Sequence, residues 1–146
     1  MVRFLALTGL RIGEARALTW SDVQPDCLII PGSISKNAVA RSVPMVDGLA
    51  VHLASLHAAA GGSPLVLPQK SVKTALTAAC RRAGIARLTH HDLRRLFATR
   101  CIESGVDLPT AARWLGHRDG GALLAKTYFS LLDGHSREMA RRVRVW

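Results

Sequence analysis

Residues 90–99 read His-His-Asp-Leu-Arg-Arg-Leu-Phe-Ala-Thr, and this stretch has the pattern of a helix with both apolar and basic residues. Thr89 precedes it and Asp92 follows three positions later, a capping-box pattern that predicts the start of a helix. The helix is expected to run to about Ser104, before a glycine. Its apolar residues recur at helical spacing and predict the stripe that faces the core: Leu93, Leu96, Phe97 and Cys101.

A basic pair lies beside that stripe. His91 and Arg94 are three positions apart and are therefore neighbours on the helix surface. Ala98, one turn beyond Arg94, is expected to keep that face open. A histidine beside an arginine at the edge of a core is awkward as packing, so the pair favours an anion bound between the two side chains. A solvated basic face that also includes Arg95 and Arg100 explains the same residues.

Two further stretches offer side chains suited to an anion. In TGLRIGEA, residues 8–15, Arg11 falls in a turn between two apolar helical segments, and Glu14 can orient it. An ordinary surface ion pair is the alternative, and such pairs contribute little to stability. In Leu-Gly-His, residues 115–117, His117 follows a helix-ending glycine and should project from a turn, although a surface histidine fits as well.

The rest of the sequence predicts a mainly α fold with a small antiparallel β-hairpin. Two short strands, Cys27–Pro31 and Arg41–Met45, flank a polar loop. Lys36 lies in this loop and is the only Lys or Arg between Arg16 and Arg41. Further helices are predicted over residues 2–8, 14–18, 46–60, 71–83, 109–116, 122–131 and 136–146.

Composition narrows the class of partner. The 146 residues fit one domain, and 20 Lys and Arg against 10 Asp and Glu give a formal charge of +10 and a pI near 11.0. Such a balance favours nucleic acid, although a soluble basic surface would account for it too. The three cysteines have neither disulfide-framework nor zinc spacing. No apolar run is long enough to span a bilayer, and a cytoplasmic protein is expected.

The order of these motifs resembles that of the tyrosine recombinases of the phage-integrase family. TGLRIGEA, a hairpin lysine, HDLRR-x-FAT, LGH and a tyrosine follow one another between about Phe4 and Ser136. The segment Asp-Gly-Gly-Ala-Leu at 119–123 resembles a variant found in phage-type integrases. Tyr128 is the only tyrosine in the chain. The resemblance implies the fold of that family's catalytic domain and a catalytic set: Arg11, Lys36, His91, Arg94, His117 and Tyr128.

The resemblance also implies a mechanism on double-stranded DNA. Tyr128 would attack the scissile phosphate and form a 3′-phosphotyrosyl link. Arg11 and Arg94 would clamp the non-bridging oxygens, and His117 would donate one further hydrogen bond. Lys36 would protonate the 5′-oxygen, and His91 would act as the general acid/base. Glu14 would hold Arg11 from behind. None of these steps needs a metal. No nucleotide cofactor is required either, because the covalent link conserves the bond energy.

The domain organisation expected from the resemblance is partial. Residues 1–146 would form the catalytic domain without its first part and without the N-terminal core-binding domain. Residues 136–146 would form a C-terminal tail helix whose apolar stripe ends at Trp146. Docking of this tail on a neighbouring protomer would build a homo-tetramer on DNA, whereas packing on its own domain is the simpler alternative.

Three other functions compete with recombination. The chain could be an inactive, DNA-binding remnant of an integrase. It could also be a type IB topoisomerase, which uses similar chemistry, although Leu-Gly-His and residues 119–123 favour a recombinase. The run His90-His91-Asp92 raises the option of a metal-dependent hydrolase, but no second carboxylate or histidine cluster has ligand spacing.

Overall fold

The computed structural model describes residues 1–68, 72–122, 124–126, 140–141 and 143–144. Tyr128, most of the predicted helix 122–131 and most of the predicted tail helix 136–146 lie outside these residues. The described elements follow in this order: α1 (Val2–Thr8), α2 (Ile12–Ala17), a 3-10 turn (Trp20–Asp22), β1 (Cys27–Ile30), β2 (Arg41–Pro44), α3 (Leu49–Ala58), α4 (Val72–Arg82), α5 (His90–Glu103) and α6 (Leu108–Leu115). The prediction of a mainly α fold with one small antiparallel sheet is confirmed.

The sheet consists of β1 and β2, each one residue shorter than predicted. Leu28 pairs with Val43, and Ile30 pairs with Arg41. Because side chains alternate along a strand, Arg41 and Val43 share one face of the hairpin. Val43, Leu28 and Ile30 are fully buried, so this face is the inner one. Arg41 is thereby directed into the protein.

Helix α5 begins as predicted but buries a different face. The Thr89 side chain accepts from the Asp92 backbone N–H at 3.3 Å, and the Asp92 carboxylate accepts from the Thr89 backbone at 2.8 Å. The prediction that Leu96 belongs to the core is wrong, since it is 43% exposed. The prediction that the face of Arg94 and Ala98 stays open is also wrong. Both are buried, because α1 and α6 pack on α5 from that side.

Other boundaries move for local reasons. Helix α3 begins at Leu49, three residues later than predicted, because Gly48 adopts a left-handed conformation with φ 78°. It ends at Ala58 rather than Ala60. Helix α2 starts at Ile12 instead of Glu14, directly after Arg11. Helix α6 has Pro109 in its first turn and ends at Gly116, as predicted. It is capped by the Asp107 carboxylate, which accepts from the Thr110 backbone N–H at 2.8 Å.

Within the described residues, the buried apolar side chains form two clusters. The larger one joins α1, the hairpin and α3, and the smaller one joins α5 to α6. Val46 packs against both clusters. The turn between α1 and α2 lies where the two clusters meet, since Gly9 approaches the Phe97 ring and a Leu115 methyl of the smaller cluster. Among the described residues, no helix has both the length and the apolar character that crossing a membrane would require.

Candidate active site

Arg11 is the N-cap residue of α2 and faces the end of α6. Its backbone N–H donates to Glu14 Oε2 at 2.9 Å, and its Nη1 donates to Glu14 Oε1 at 3.2 Å. Its Nη2 donates to the Gly116 carbonyl at 3.2 Å. The side chain still keeps 25% of its surface exposed. Arg11 is therefore fixed at both ends of its guanidinium while one edge remains open to a ligand.

Glu14 is buried between two arginines. Arg41 binds it with both terminal nitrogens, Nη1 at 3.1 Å and Nη2 at 2.8 Å, and only 5% of the Arg41 side chain is exposed. Burial tends to raise the pKa of the Glu14 carboxyl, but the hydrogen bonds and charges of Arg41 and Arg11 outweigh it and lower that pKa below its ordinary value. Glu14 therefore stays ionised and serves both arginines, not Arg11 alone.

Arg94 reaches from α5 to the turn after α1 and to the end of α6. Its Nη1 donates to the Gly9 carbonyl at 2.7 Å, and its Nη2 donates to the Leu115 carbonyl. The turn can come this close only because Gly9 has no side chain. A Cβ there would lie 2.5 Å from the Phe97 ring and 2.9 Å from a Leu115 methyl. Gly9 also has φ 61°, which other residues rarely adopt.

Three successive carbonyls at the end of α6 each accept a hydrogen bond from a different arginine. The Trp114 carbonyl accepts from Arg41 Nε at 2.8 Å, and the next two accept from Arg94 and Arg11 as described above. The last carbonyls of a helix lack intrahelical donors and carry partial negative charge. These three groups, the α6 carbonyls, are therefore well placed to accept hydrogen bonds from cationic side chains. They gather guanidinium groups from α2, β2 and α5 into one place.

His117 follows immediately after the α6 carbonyls. Its backbone N–H donates to Ala112 at 2.9 Å, which turns the chain back after Gly116. Its ring Nδ1 is buried and has no hydrogen-bond partner within the described residues. Burial, and next the charge of Arg94, lower the pKa of the ring, and Asp119 opposes them only in part. A neutral imidazole beside two arginines can donate one hydrogen bond to an anion.

Two of the predicted site residues, His91 and Lys36, make no hydrogen bond to this cluster within the described part of the chain. His91 is exposed in the first turn of α5, where its ring centroid lies 4.4 Å from that of His90. Lys36 is exposed on the loop between β1 and β2. The next residue, Asn37, reaches the cluster by donating to the Gly116 carbonyl at 3.1 Å. Tyr128 lies outside the described residues.

A cleft of about 280 Å³ opens beside His117. One wall belongs to the hairpin and its loop, and the other to the end of α6 and the residues after it. Arg113, His117 and Arg118 are on the second wall, which therefore suits an anionic ligand, whereas Arg41 on the hairpin wall is already paired with Glu14. Its lining residues are Ser35, Asn37, Val39, Ala40, Arg41, Arg113, Gly116, His117 and Arg118.

Comparison with known proteins identifies the family. The sequence model of the phage integrase family matches residues 1–134. The chain belongs to this family of tyrosine recombinases. A curated relative is the tyrosine recombinase XerD of Neisseria meningitidis serogroup A, which is 28% identical over 138 residues. The match covers 82% of the present chain and 46% of XerD. The chain thus spans less than half the length of that relative.

Solved structures of integrases share the fold. The XerA recombinase superposes with a TM-score of 0.75 and 25% identity, over 96% of this chain and 56% of XerA. The Tn1549 transposon integrase, solved in complex with transposon right end DNA, gives a TM-score of 0.77 at 15% identity. That match covers 95% of this chain and 57% of the integrase. The described elements therefore form the catalytic-domain fold of the family.

Sequence reasoning missed two residues of this candidate site. The sequence predicts Arg41 only as the start of a strand and Asn37 only as part of the polar loop. A signal for Arg41 was present, because the apolar residue of an Arg-Ser-Val strand must face inward and the arginine shares its face. A buried Glu14 also needs a cationic partner. No comparable signal marks Asn37, since its acceptor lies 79 positions away.

Proposed function

We propose that this chain is the catalytic part of a site-specific DNA recombinase that cleaves and rejoins strands through a 3′-phosphotyrosyl intermediate. The observation that carries the proposal is the convergence of Arg11, Arg94 and His117 at the α6 carbonyls. Family membership supports the reaction class. The Tn1549 integrase with its transposon-end DNA supports duplex DNA as the substrate, and the charge of +10 suits that ligand.

The proposed reaction uses side chains alone. The Tyr128 oxygen forms a bond to the scissile phosphorus, and the bond from phosphorus to O5′ breaks. The tyrosine proton passes to His91, and a proton from the Lys36 ammonium passes to O5′, which leaves as a hydroxyl. Arg11 and Arg94 neutralise the charge that develops on the non-bridging oxygens, and His117 donates to one of them. Reversal with a new 5′-hydroxyl rejoins the strand.

Rigid support of the clamp favours catalysis over simple binding. Arginines that only attract a DNA backbone usually extend into solvent and are mobile. Arg94 is only 8% exposed and donates to two carbonyls from separate elements, while Arg11 is held by Glu14. Preorganised donors do not have to reorient as charge develops on the phosphate, which is why they stabilise a transition state.

A DNA-binding chain without cleavage activity is the second candidate, since a formal charge of +10 suits DNA binding whether or not strands are cleaved. Incubation with suicide DNA substrates, in which the cleaved end is lost, distinguishes the two. A covalent protein–DNA adduct supports the recombinase, whereas binding without adduct supports the second candidate. Relaxation of supercoiled DNA that lacks a target site would instead indicate topoisomerase activity.

Arg94→Lys should reduce the rate of adduct formation by about a hundredfold or more, because lysine cannot provide the bidentate fork that arginine offers to phosphate. Single-turnover cleavage of the suicide substrate measures the effect. Arg95→Lys is the matched control, since Arg95 is the next residue of α5 and is exposed. Equal rates for Arg94→Lys and the parent chain would mean that Arg94 does not contact the phosphate.

DNA affinity should fall steeply as salt increases, because each phosphate neutralised by a basic side chain releases counterions. Fluorescence anisotropy with a labelled duplex at several salt concentrations gives the slope of log K against log salt. The slope is expected to correspond to about 0.9 per phosphate contact. An affinity independent of salt would argue against the DNA backbone as the ligand.

We also propose that the chain acts in a homo-tetramer on DNA through exchange of residues 136–146. The support is the apolar stripe of that segment in a chain whose charge otherwise favours solvent or nucleic acid. Such exchange would couple the placement of Tyr128 to the presence of a neighbouring protomer.

A further inference from the structure

The loop between β1 and β2 carries Lys36, and its conformation is specified in detail. Its first turn is closed by the Ser35 backbone N–H, which donates to Pro31 at 3.1 Å, and its second by that of Ala38, which donates to Ser35 at 3.0 Å. The two limbs touch so closely that a Cβ on Gly32 would lie 2.8 Å from the Ala38 carbonyl oxygen. The loop is thus folded on itself rather than extended.

Two further features show that the loop is held from outside. Ala38 has φ 54°, in the left-handed region that alanine avoids, and such strain persists only where surrounding contacts fix the backbone. The residue immediately before it, Asn37, donates its Nδ2 to the Gly116 carbonyl at 3.1 Å. This side-chain hydrogen bond crosses from the hairpin loop to the end of α6.

The acceptor of that bond is shared with the proposed phosphate clamp. The Gly116 carbonyl accepts from Asn37 and also from Arg11 Nη2 at 3.2 Å, so both lone pairs of the oxygen are used. The residue that follows this carbonyl is His117. The Gly116 oxygen therefore links the Lys36 loop to Arg11 and to the start of His117, two of the groups proposed to bind the phosphate.

We propose that Asn37 is a positioning residue, which holds the Lys36 loop on the Gly116 carbonyl and so places the leaving-group acid relative to Arg11 and His117. The inference rests on the proposed function, in which Lys36 protonates O5′. Asn37 itself touches neither the phosphate nor the leaving oxygen. Its removal should impair proton delivery while leaving charge neutralisation by Arg11 and Arg94 in place.

A sulfur substitution in the DNA separates proton delivery from structural damage. In a suicide substrate whose bridging O5′ is replaced by sulfur, the 5′ leaving group departs as a thiolate. This leaving group needs no general acid. Asn37→Ala and Asn37→Asp should lower the adduct rate on the oxygen substrate by about tenfold or more, since small displacements of a catalytic group carry large rate penalties. On the sulfur substrate their rates should return close to that of the parent chain.

Three reference variants make the result decisive. Ser33→Ala, an exposed residue of the same loop, should behave like the parent on both substrates. Arg94→Lys should stay slow on both. Lys36→Ala should be slow on oxygen and recover on sulfur. If Lys36→Ala does not recover, its role in the proposed function fails. If Lys36→Ala recovers but Asn37→Ala is equally slow on both substrates, or as fast as the parent on both, only the role of Asn37 fails.

Amide hydrogen exchange tests the same contact without DNA cleavage. The backbone amides of Ser35 and Ala38 are hydrogen bonded within the loop. Asn37→Ala should speed their exchange, whereas Ser33→Ala should not. Unchanged exchange in Asn37→Ala would show that the bond to Gly116 does not hold the loop and would overturn the inference, whatever the cleavage rates.

Discussion

Tyr128→Phe is expected to abolish covalent attachment of the chain to DNA while leaving DNA binding nearly unchanged. The substitution removes only the hydroxyl that acts as nucleophile in the proposed reaction. Affinity for the backbone comes from the basic side chains, which it does not alter. Suicide substrates measure adduct formation, and anisotropy with the same duplex measures binding.

The composition of the chain makes this test unusually specific. Tyr128 is the only tyrosine, so acid hydrolysis of a purified adduct should release phosphotyrosine that can come from no other position. Adduct formation by Tyr128→Phe, or release of another phosphoamino acid from the parent adduct, would contradict the assignment. Loss of DNA binding together with the adduct would mean that the variant is damaged in some other way, and near-parent thermal unfolding serves as the control.

The second large effect concerns stability. Arg41→Met should destabilise the fold by about 3–5 kcal/mol, because it leaves the buried Glu14 carboxylate without its bidentate partner. The Trp114 carbonyl loses its donor as well. Urea unfolding followed by circular dichroism measures the change. Arg100→Met is the matched control, since the pair that Arg100 forms with Glu103 is exposed and such pairs contribute only about 0–1 kcal/mol.

Combining Arg41→Met with Glu14→Met separates stability from function. Replacing both members of a buried ion pair by apolar side chains is often neutral or stabilising, so the double variant should regain much of the lost stability. It should not regain cleavage, because Arg11 then lacks the carboxylate that holds it. A loss below about 1 kcal/mol in Arg41→Met would contradict the burial of the pair, and full activity of the double variant would contradict the support of Arg11 by Glu14.

Features governed by neighbouring residues could be predicted from the sequence. The capping box of α5 depends on Thr89 and Asp92 alone, and the end of α6 depends on a glycine in a left-handed conformation with φ 68°. The hairpin follows from two short strands and a polar loop. The family, and with it Arg11, Arg94 and His117, was indicated by the resemblance of the ordered motifs and not by these local signals.

Features governed by distant contacts could not be predicted. Helix α5 has apolar residues on more than one face, and the choice of Phe97 over Leu96 for the core depends on where α1 and α6 pack. Arg94 is buried because backbone carbonyls of Gly9 and Leu115 meet it there. Backbone acceptors leave no trace in the side-chain pattern, so a charged residue at a core position reads as an exposed one.

The three arginines at the end of α6 bind main-chain oxygens, and this has a consequence for how the domain can diverge. A carbonyl is supplied equally well by any residue, so positions 114 and 115 can exchange side chains, within the limits of packing, without releasing Arg41 or Arg94. Position 116 is different, since a Cβ there would lie 3.0 Å from the Arg41 guanidinium carbon and the backbone has positive φ. Random mutagenesis followed by selection for recombination should therefore return varied residues at 114 and glycine at 116. At the end of α6, the path of the backbone therefore matters more for the position of the arginines than the identity of the side chains at positions 114 and 115.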